Sequence, residues 1–188
     1  MERQIVVLDA NILFPAPLRD FFMHLALQDA VQVHWSKRIE DEWTRNLLAK
    51  RPDLAPERVY RTTVQMNAAL PDAQITDFEM LEPGLVLPDP KDRHVLAAAI
   101  KAGAEVIITK NLRDFPLEAI SKFGIAAQHP DAFTYHLLRL EPSPVILALE
   151  AVQANLKNPV KTQLEILETL EQQDMPRTAA QLRELLQK

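Results

Sequence analysis

Three acidic residues stand at positions where a carboxylate is unexpected unless it has chemistry to perform. Asp9 directly follows the apolar run of residues 4–8 (QIVVL), so it lies at the carboxyl end of a predicted strand. Glu42 and Asp92 fall in phase with the apolar positions of two predicted helices, so both lie on stripes that face the core. We expect the three acids to converge at one edge of a parallel sheet.

The chemistry that fits three converging acids is that of a divalent cation. Neighbouring carboxylates repel one another and raise each other's pKa, and a bound cation removes that penalty. The chain has no cysteine, which excludes thiol catalysis and thiolate metal sites, and oxygen ligands favour Mg²⁺ or Mn²⁺. Such a site is suited to phosphodiester hydrolysis, because the cation activates a water molecule and stabilises charge on the phosphate.

Asp92 and Asp9 also have a simpler structural interpretation. Asp89 and Asp92 both fall in the first turn of a predicted helix, where either carboxylate could cap free backbone N–H groups. Asp9 could form only the turn that precedes the next helix. The agreement of three separate positions on one sheet edge favours the functional interpretation.

The same helical phase predicts which of the three acids at positions 40–42 faces the core. The apolar residues of this helix recur at every fourth position, and Glu42 lies on their side. The phase predicts that Glu40 and Asp41 point elsewhere. Arg45, three residues after Glu42, could instead neutralise Glu42 as an ordinary helical ion pair.

Strands and helices alternate along the first three quarters of the sequence. Strands are predicted at residues 4–8, 31–35, 105–109 and 124–128, with a weak one at 74–76, and helices at 15–30, 36–48, 56–70, 90–102, 117–123 and 131–140. This alternation predicts an α/β fold with a parallel sheet. From Glu141 onward the sequence predicts only amphipathic helices, broken at Asn158-Pro159 and Met175-Pro176. We therefore expect one domain over residues 1–140 and a helical extension over residues 141–188.

The composition, 47% hydrophobic and 25% charged, is typical of a soluble globular protein. No segment approaches the ~20 apolar residues of a membrane span, so we expect a cytoplasmic protein without membrane association. The net charge of −5 argues against a nucleic-acid partner, but bound cations reverse the local charge of an acidic cluster. Basic residues at positions 45, 50, 51, 58 and 61 either add positive charge for a phosphate or form a solvated helix surface.

Four blocks of this sequence resemble the PIN domain family of metal-dependent ribonucleases, specifically VapC-like toxins of bacterial toxin-antitoxin pairs. The blocks are VVLDANIL, WSKRIEDEWTRNLL, LPDPKDRHVLAAAIKAGAEVIITKNLRDFP and GIAAQHPDAF, and together they span about the first three quarters of the chain. The helical extension is similar to one found in a branch of these toxins. The resemblance implies a three-layer α/β/α fold with a small parallel sheet.

The resemblance also implies roles for individual residues. Asp9, Glu42 and Asp92 are the implied catalytic and metal-binding acids for Mg²⁺ or Mn²⁺, and Asn11 is the small polar residue beside the first of them. Many members carry a further Asp soon after the Thr that ends the strand, here Thr109. This chain has Asn111 at that position, so we assign Asp114 as the fourth catalytic and metal-binding acid and Asn111 as a neutral helper.

Family membership would further imply cleavage of RNA to a 5′-phosphate and a 3′-hydroxyl, a homodimer, and inhibition by a cognate antitoxin. Arg93, Lys110 and Arg113 flank the acids and are candidate RNA contacts, with plain solvation as the alternative. His94 and His129 are interpreted as structural hydrogen-bond partners rather than general bases.

Two other functions share features with this sequence. A phosphatase of the haloacid dehalogenase type needs a second Asp two residues after the first, and this chain has Asn11 there. The second alternative is a catalytically degenerate PIN-like module that binds RNA or a protein partner without cleaving. Asn111 and the acidic net charge motivate that alternative.

Overall fold

The computed structural model describes residues 3–187, which contain a single five-stranded parallel sheet. The strands are β1 (Ile5–Leu8), β2 (Gln32–Ser36), β3 (Gln74–Ile75), β4 (Val106–Ile108) and β5 (Ala126–Gln128). Their order across the sheet is β3-β2-β1-β4-β5. After β1, the chain adds β2 and β3 on one side of β1 and then β4 and β5 on its other side. The strand order therefore reverses direction between β1 and β4. In open α/β sheets, ligands bind at the carboxyl ends of the strands at such a point.

The helices are α1 (Ala10–Leu13), α2 (Ala16–Leu27), α3 (Lys37–Lys50), α4 (Pro56–Ala69), α5 (Arg93–Ala102), α6 (Leu117–Ile120), α7 (Pro130–Leu140), α8 (Pro142–Asn155), α9 (Gln163–Gln172) and α10 (Pro176–Leu186). Short 3₁₀ turns cover Glu79–Gly84, Pro90–Asp92, Leu112–Asp114 and Ser121–Phe123. Helix α5 packs against β1, β2 and β4, and α2 and α3 pack against β2. Successive side chains of β1 are fully buried, so both faces of the sheet are covered. The predicted three-layer α/β fold is confirmed.

Most predicted elements are present with shifted ends. Gly103 ends α5 in the left-handed conformation (φ 64°), as a C-terminal glycine is expected to do. The predicted helix over residues 15–30 is α2, and a separate short helix, α1, precedes it. The predicted helix over residues 117–123 changes to a 3₁₀ turn after Ile120. The 3₁₀ helix at Glu79–Gly84 has no counterpart in the prediction, because its sequence lacks a clear apolar period.

The helices of the C-terminal extension pack on the rest of the same chain. Helix α8 lies against α2, and α10 lies against α7 and α9. The carboxylate of Asp131, at the start of α7, accepts hydrogen bonds from the backbone N–H groups of Arg177 (3.2 Å) and Thr178 (2.8 Å) in the first turn of α10. His129 Nδ1 accepts from the N–H of Asp131 (3.3 Å), a contact of the kind expected for a structural hydrogen-bond partner. Within residues 3–187, no helix combines the length and hydropathy that a bilayer crossing requires.

Candidate active site

A cavity of about 540 Å³ opens at the carboxyl ends of β1 and β4. We call it the acidic cavity, and its polar lining consists of Asp9, Asn11, Glu42, Asn46, Lys50, Asp92, Lys110, Asn111 and Asp114. The four predicted acids come from four separate chain segments, and the fold brings all of them to this cavity. The sheet edge was the predicted place of convergence.

Asp9 is held from three directions at the bottom of the acidic cavity. It is only 8% exposed, and its Oδ1 accepts from the N–H of Ala10 (2.7 Å), which caps α1. Its Oδ2 accepts from Asn11 Nδ2 and Thr109 Oγ1, both at 2.7 Å. Burial raises the pKa of Asp9, the hydrogen bonds from Thr109 and Ala10 lower it, and the charge of Glu42 raises it further. Asp9 therefore both caps α1 and lines the acidic cavity.

Asn11 and Thr109 tie the end of β1 to the end of β4. Asn11 Nδ2 also donates to Thr109 Oγ1 (3.0 Å), and Asn11 Oδ1 accepts from the backbone N–H of Lys110 (3.0 Å). The N–H of Asn111 donates to Thr109 Oγ1 (3.0 Å). These bonds fix the orientation of the Asp9 carboxylate, because every group that contacts it is itself anchored to the sheet edge.

Glu42 reaches the acidic cavity from α3 and contacts a buried histidine. Its Oε2 lies 3.5 Å from Nε2 of His94, and its side chain is 34% exposed. The ring of His94 lowers the pKa of Glu42, partial burial raises it, and the charges of Arg45 and Arg38 lower it further. Glu42 is therefore ionised near neutral pH, and His94 is a closer partner for it than the Arg45 that the sequence pointed to.

Glu40 corrects the prediction that it points away from the core. Its side chain is 4% exposed, its Oε2 accepts from Asn67 Nδ2 of α4 (3.0 Å), and its Oε1 lies 3.3 Å from Lys37 Nζ. Helix α3 packs against β2 on one side and α4 on another, so it buries two sides where the phase argument allowed one. Asn67 follows the buried Thr63 by four residues, and this polar position on the apolar stripe of α4 was the available signal.

Asp89 and Asp92 divide the two roles that their sequence positions left open. Asp89 Oδ1 accepts from the backbone N–H of Lys91 (2.9 Å) and so caps the helix start. Asp92 makes no capping hydrogen bond to the described backbone, and its carboxylate lines the acidic cavity. Burial raises the pKa of Asp92 to about 6, with further contributions from the charges of Asp114, Asp9, Asp89 and Glu42. The geometry therefore favours a role in the cavity over capping.

The loop after β4 contributes Asn111 and Asp114. Asn111 Nδ2 donates to Asp114 Oδ2 (2.6 Å), and both residues line the acidic cavity. Lys110 also lines it, and its Nζ contacts Asp174 Oδ2 (2.8 Å) from the turn between α9 and α10. Arg93 and Arg113, the other two predicted RNA contacts, are not among the described residues that line the cavity.

The donors of the acidic cavity fit a small divalent cation. They are carboxylate and amide oxygens. Burial, and then the charge of neighbouring carboxylates, raises the pKa of both Asp9 and Asp92, and a bound cation would offset both effects. Within residues 3–187, no three Asp, Glu, His or Cys side chains lie close enough together to bind one ion simultaneously. Mg²⁺ commonly binds through one or two carboxylates and keeps several waters, so a looser ring of acids suits it.

Comparisons with known proteins agree with this picture. The family model for the PIN domain matches residues 5–113, and the model for the VapC50 C-terminal domain matches residues 130–184. A Mycobacterium tuberculosis (strain ATCC 25618 / H37Rv) protein named "Putative ribonuclease VapC50" is 43% identical over 96 residues, which cover 50% of this chain and 56% of the relative. The match thus spans about half the length of that relative. No solved structure matches the chain.

Proposed function

The chain belongs to the PIN domain family, and on that premise we propose that it is a metal-dependent endoribonuclease that hydrolyses RNA phosphodiester bonds with an activated water. One observation carries the proposal: Asp9, Glu42, Asp92 and Asp114, from four separate segments, line one cavity at the carboxyl edge of the sheet. The name of the M. tuberculosis relative, a ribonuclease, supports the choice of substrate.

The contacts of each residue in the acidic cavity suggest its role in the proposed reaction. Asp9 and Asp92 would bind Mg²⁺ or Mn²⁺, with Glu42 and Asp114 completing the acidic ring. When bound, the cation supplies water activation and neutralises charge on the phosphate. Thr109 and Asn11 hold the Asp9 carboxylate in one orientation.

Two further contacts complete the division of roles. The ring of His94 lies beside the Glu42 carboxylate and lowers its pKa, which further favours the ionised form. Lys110, at the rim of the acidic cavity, is positioned to contact a phosphate oxygen of the RNA.

The proposal extends to a biological setting. The match of the C-terminal region to the VapC50 C-terminal domain supports a toxin of a toxin-antitoxin pair that is inhibited by a cognate antitoxin. With that setting we also propose a homodimer and a cytoplasmic location. We propose a nuclease domain over residues 1–140 followed by a helical extension over residues 141–188; the VapC50 C-terminal domain model itself begins at residue 130, the start of α7.

The alternative is a degenerate module that binds RNA or a protein without cleaving it. Asn111 motivates it, because this residue brings an amide to a position where a charge is expected from the resemblance. The two functions differ in their metal dependence: a nuclease cleaves only with Mg²⁺ or Mn²⁺, whereas a degenerate module binds RNA equally with metal and with chelator and leaves it intact.

The test is cleavage of end-labelled single-stranded RNA by the purified protein with Mg²⁺, with Mn²⁺ and with excess EDTA. We expect products with 5′-phosphates in the first two conditions alone. Asp92→Asn should reduce the rate by at least about 100-fold, as loss of a charge-stabilising group does in other enzymes. Asp89→Asn is the matched control, because Asn caps a helix as well as Asp and this residue lies outside the lining of the acidic cavity. Cleavage by Asp92→Asn at the wild-type rate would contradict the proposal.

A further inference from the structure

A second cavity, of about 660 Å³, adjoins the acidic cavity between α2, α3 and α4. The two cavities share Phe14, Pro15 and Lys50 in their linings. We call the second one the basic cavity, because Arg19, Lys50, Arg51 and Arg58 line it. Among the residues that the structure describes, no Asp or Glu lines it, although the chain carries a net charge of −5.

The four basic side chains differ in the contacts that they already make within the protein. Arg19 is buried, donates to the carbonyl of Leu13 (2.8 Å) and stacks on Trp43, so it has a structural role. Arg51 forms a two-pronged ion pair with Asp53. Lys50 and Arg58 are exposed, and Lys50 Nζ lies 5.1 Å from the centre of the Phe14 ring. These two cations are therefore the ones available to an anionic ligand.

Resting on the proposed function, we infer that the basic cavity binds the segment of single-stranded RNA next to the scissile phosphate. Lys50 and Arg58 contact its phosphates. When Lys50 turns from the Phe14 ring to a phosphate, the ring face that it covers, at the junction of the two cavities, becomes available to a base. Positive charge along a groove combined with an aromatic ring is the chemistry by which proteins bind single-stranded nucleic acid. Because the basic cavity is continuous with the acidic cavity, an RNA strand bound in it can extend directly to the carboxylates of the acidic cavity. This continuity favours RNA over an acidic protein segment.

Binding is tested without cleavage, by fluorescence anisotropy of a single-stranded RNA of about 12 nucleotides in excess EDTA. The variant Lys50→Gln/Arg58→Gln removes two charges from the basic cavity. The control Lys101→Gln/Lys122→Gln removes two charges from exposed positions that line neither cavity, at the C-terminal end of α5 and after α6. We expect the first pair to weaken binding about tenfold and to make the slope of log affinity against log salt shallower by about 1.4. The control pair should change affinity by less than about twofold, because its charges are distant from the strand.

Three results would overturn the inference. The first is equal weakening by both pairs of substitutions, and the second is absence of RNA binding by the wild type. The third is a poly-glutamate peptide that binds the wild type and loses affinity in the Lys50→Gln/Arg58→Gln variant while RNA does not, which would make the cavity a protein-docking surface.

Cleavage of the same RNA with Mg²⁺ tests the proposed function separately. A wild type that binds through the basic cavity but never cleaves contradicts the nuclease activity and leaves this inference standing. A wild type that cleaves, together with a basic-cavity variant that binds normally, contradicts this inference alone.

Discussion

Lys110 Nζ lies 2.8 Å from Asp174 Oδ2, so the turn between α9 and α10 reaches the rim of the acidic cavity. Lys110 lies within the part of the chain matched by the PIN domain model, and Asp174 lies within the part matched by the VapC50 C-terminal domain model. The contact is partly open to water, with the side chains 24% and 69% exposed. The C-terminal extension thus partly neutralises Lys110, the cation to which the proposed function assigns a contact with an RNA phosphate.

Replacement of Asp174 should strengthen RNA binding. Asp174→Asn keeps a residue that tolerates its left-handed backbone (φ 66°) and removes the carboxylate that holds Lys110. We expect affinity for single-stranded RNA in EDTA to rise about two- to fivefold, the range of an exposed ion pair, with little change in thermal stability. Asp29→Asn is the matched control, because Asp29 also has a positive φ and an exposed ion pair, with Arg3. A gain of equal size in both variants would contradict a specific role for the contact.

The sequence predicted the central part of the site because that part depends on local order. Asp9 follows a strand whose apolar run stops abruptly, and Thr109 ends another, so two neighbouring strand ends in a parallel sheet had to meet. The helix stop at Gly103 was likewise predictable, because glycine adopts the left-handed conformation there without strain.

The features that the sequence did not predict depend on tertiary packing. Helical phase identifies one buried stripe, so it could not show that α4 buries Glu40 on a second side of α3. Lys50 and Arg58 belong to different helices, and only the packing of α3 on α4 places both in one cavity. The contact of Asp174 with Lys110 joins residues 64 positions apart and has no local signature.

Neutralising Asp92 should stabilise the metal-free protein at neutral pH. Its folded-state pKa is raised to about 6, so the native state retains a proton that the unfolded chain releases above its ordinary pKa of 3.8. The contribution of this carboxyl group to stability is therefore greatest below pH 3.8 and is lost as the pH rises through about 6. After allowance for solvent screening, the loss is about 1–2 kcal/mol, or about 2–8 °C in melting temperature.

The measurement is thermal unfolding in EDTA across this pH range. At about pH 7.5 we expect Asp92→Asn to melt above the wild type, and the difference should shrink toward pH 4. Added Mg²⁺ should raise the melting temperature of the wild type more than that of the variant, because a ligand stabilises only a state that binds it. A variant that melts below the wild type at neutral pH would show that the carboxylate is stabilising, contrary to its assigned environment.

Asp114 and Asn111 can be separated by paired substitutions. Asn111 Nδ2 donates to Asp114 Oδ2, so loss of the amide should leave the carboxylate in place, whereas loss of the carboxylate removes a negative charge from the acidic cavity. We expect Asp114→Ala to lower cleavage and Mg²⁺ affinity by at least about tenfold and Asn111→Ala to lower them by less. Rates and metal titrations of the two purified variants provide the comparison. If Asn111→Ala abolishes both properties and Asp114→Ala changes neither, Asn111 completes the site.

Substitution of Glu40 should affect mainly stability, whereas substitution of Glu42 should affect mainly activity. Glu40 is buried between α3 and α4 against Asn67, so Glu40→Ala leaves a partly buried amide without its acceptor and should lower stability by about 1–2 kcal/mol. Glu42 is partly exposed in the acidic cavity, so Glu42→Gln should leave the melting temperature within about 2 °C of wild type and reduce cleavage at least about 100-fold. Cleavage is measured below the melting temperature of both variants. An inactive Glu40→Ala protein that remains folded at the assay temperature, or a fully active Glu42→Gln protein, would reverse the assignment of the two acids.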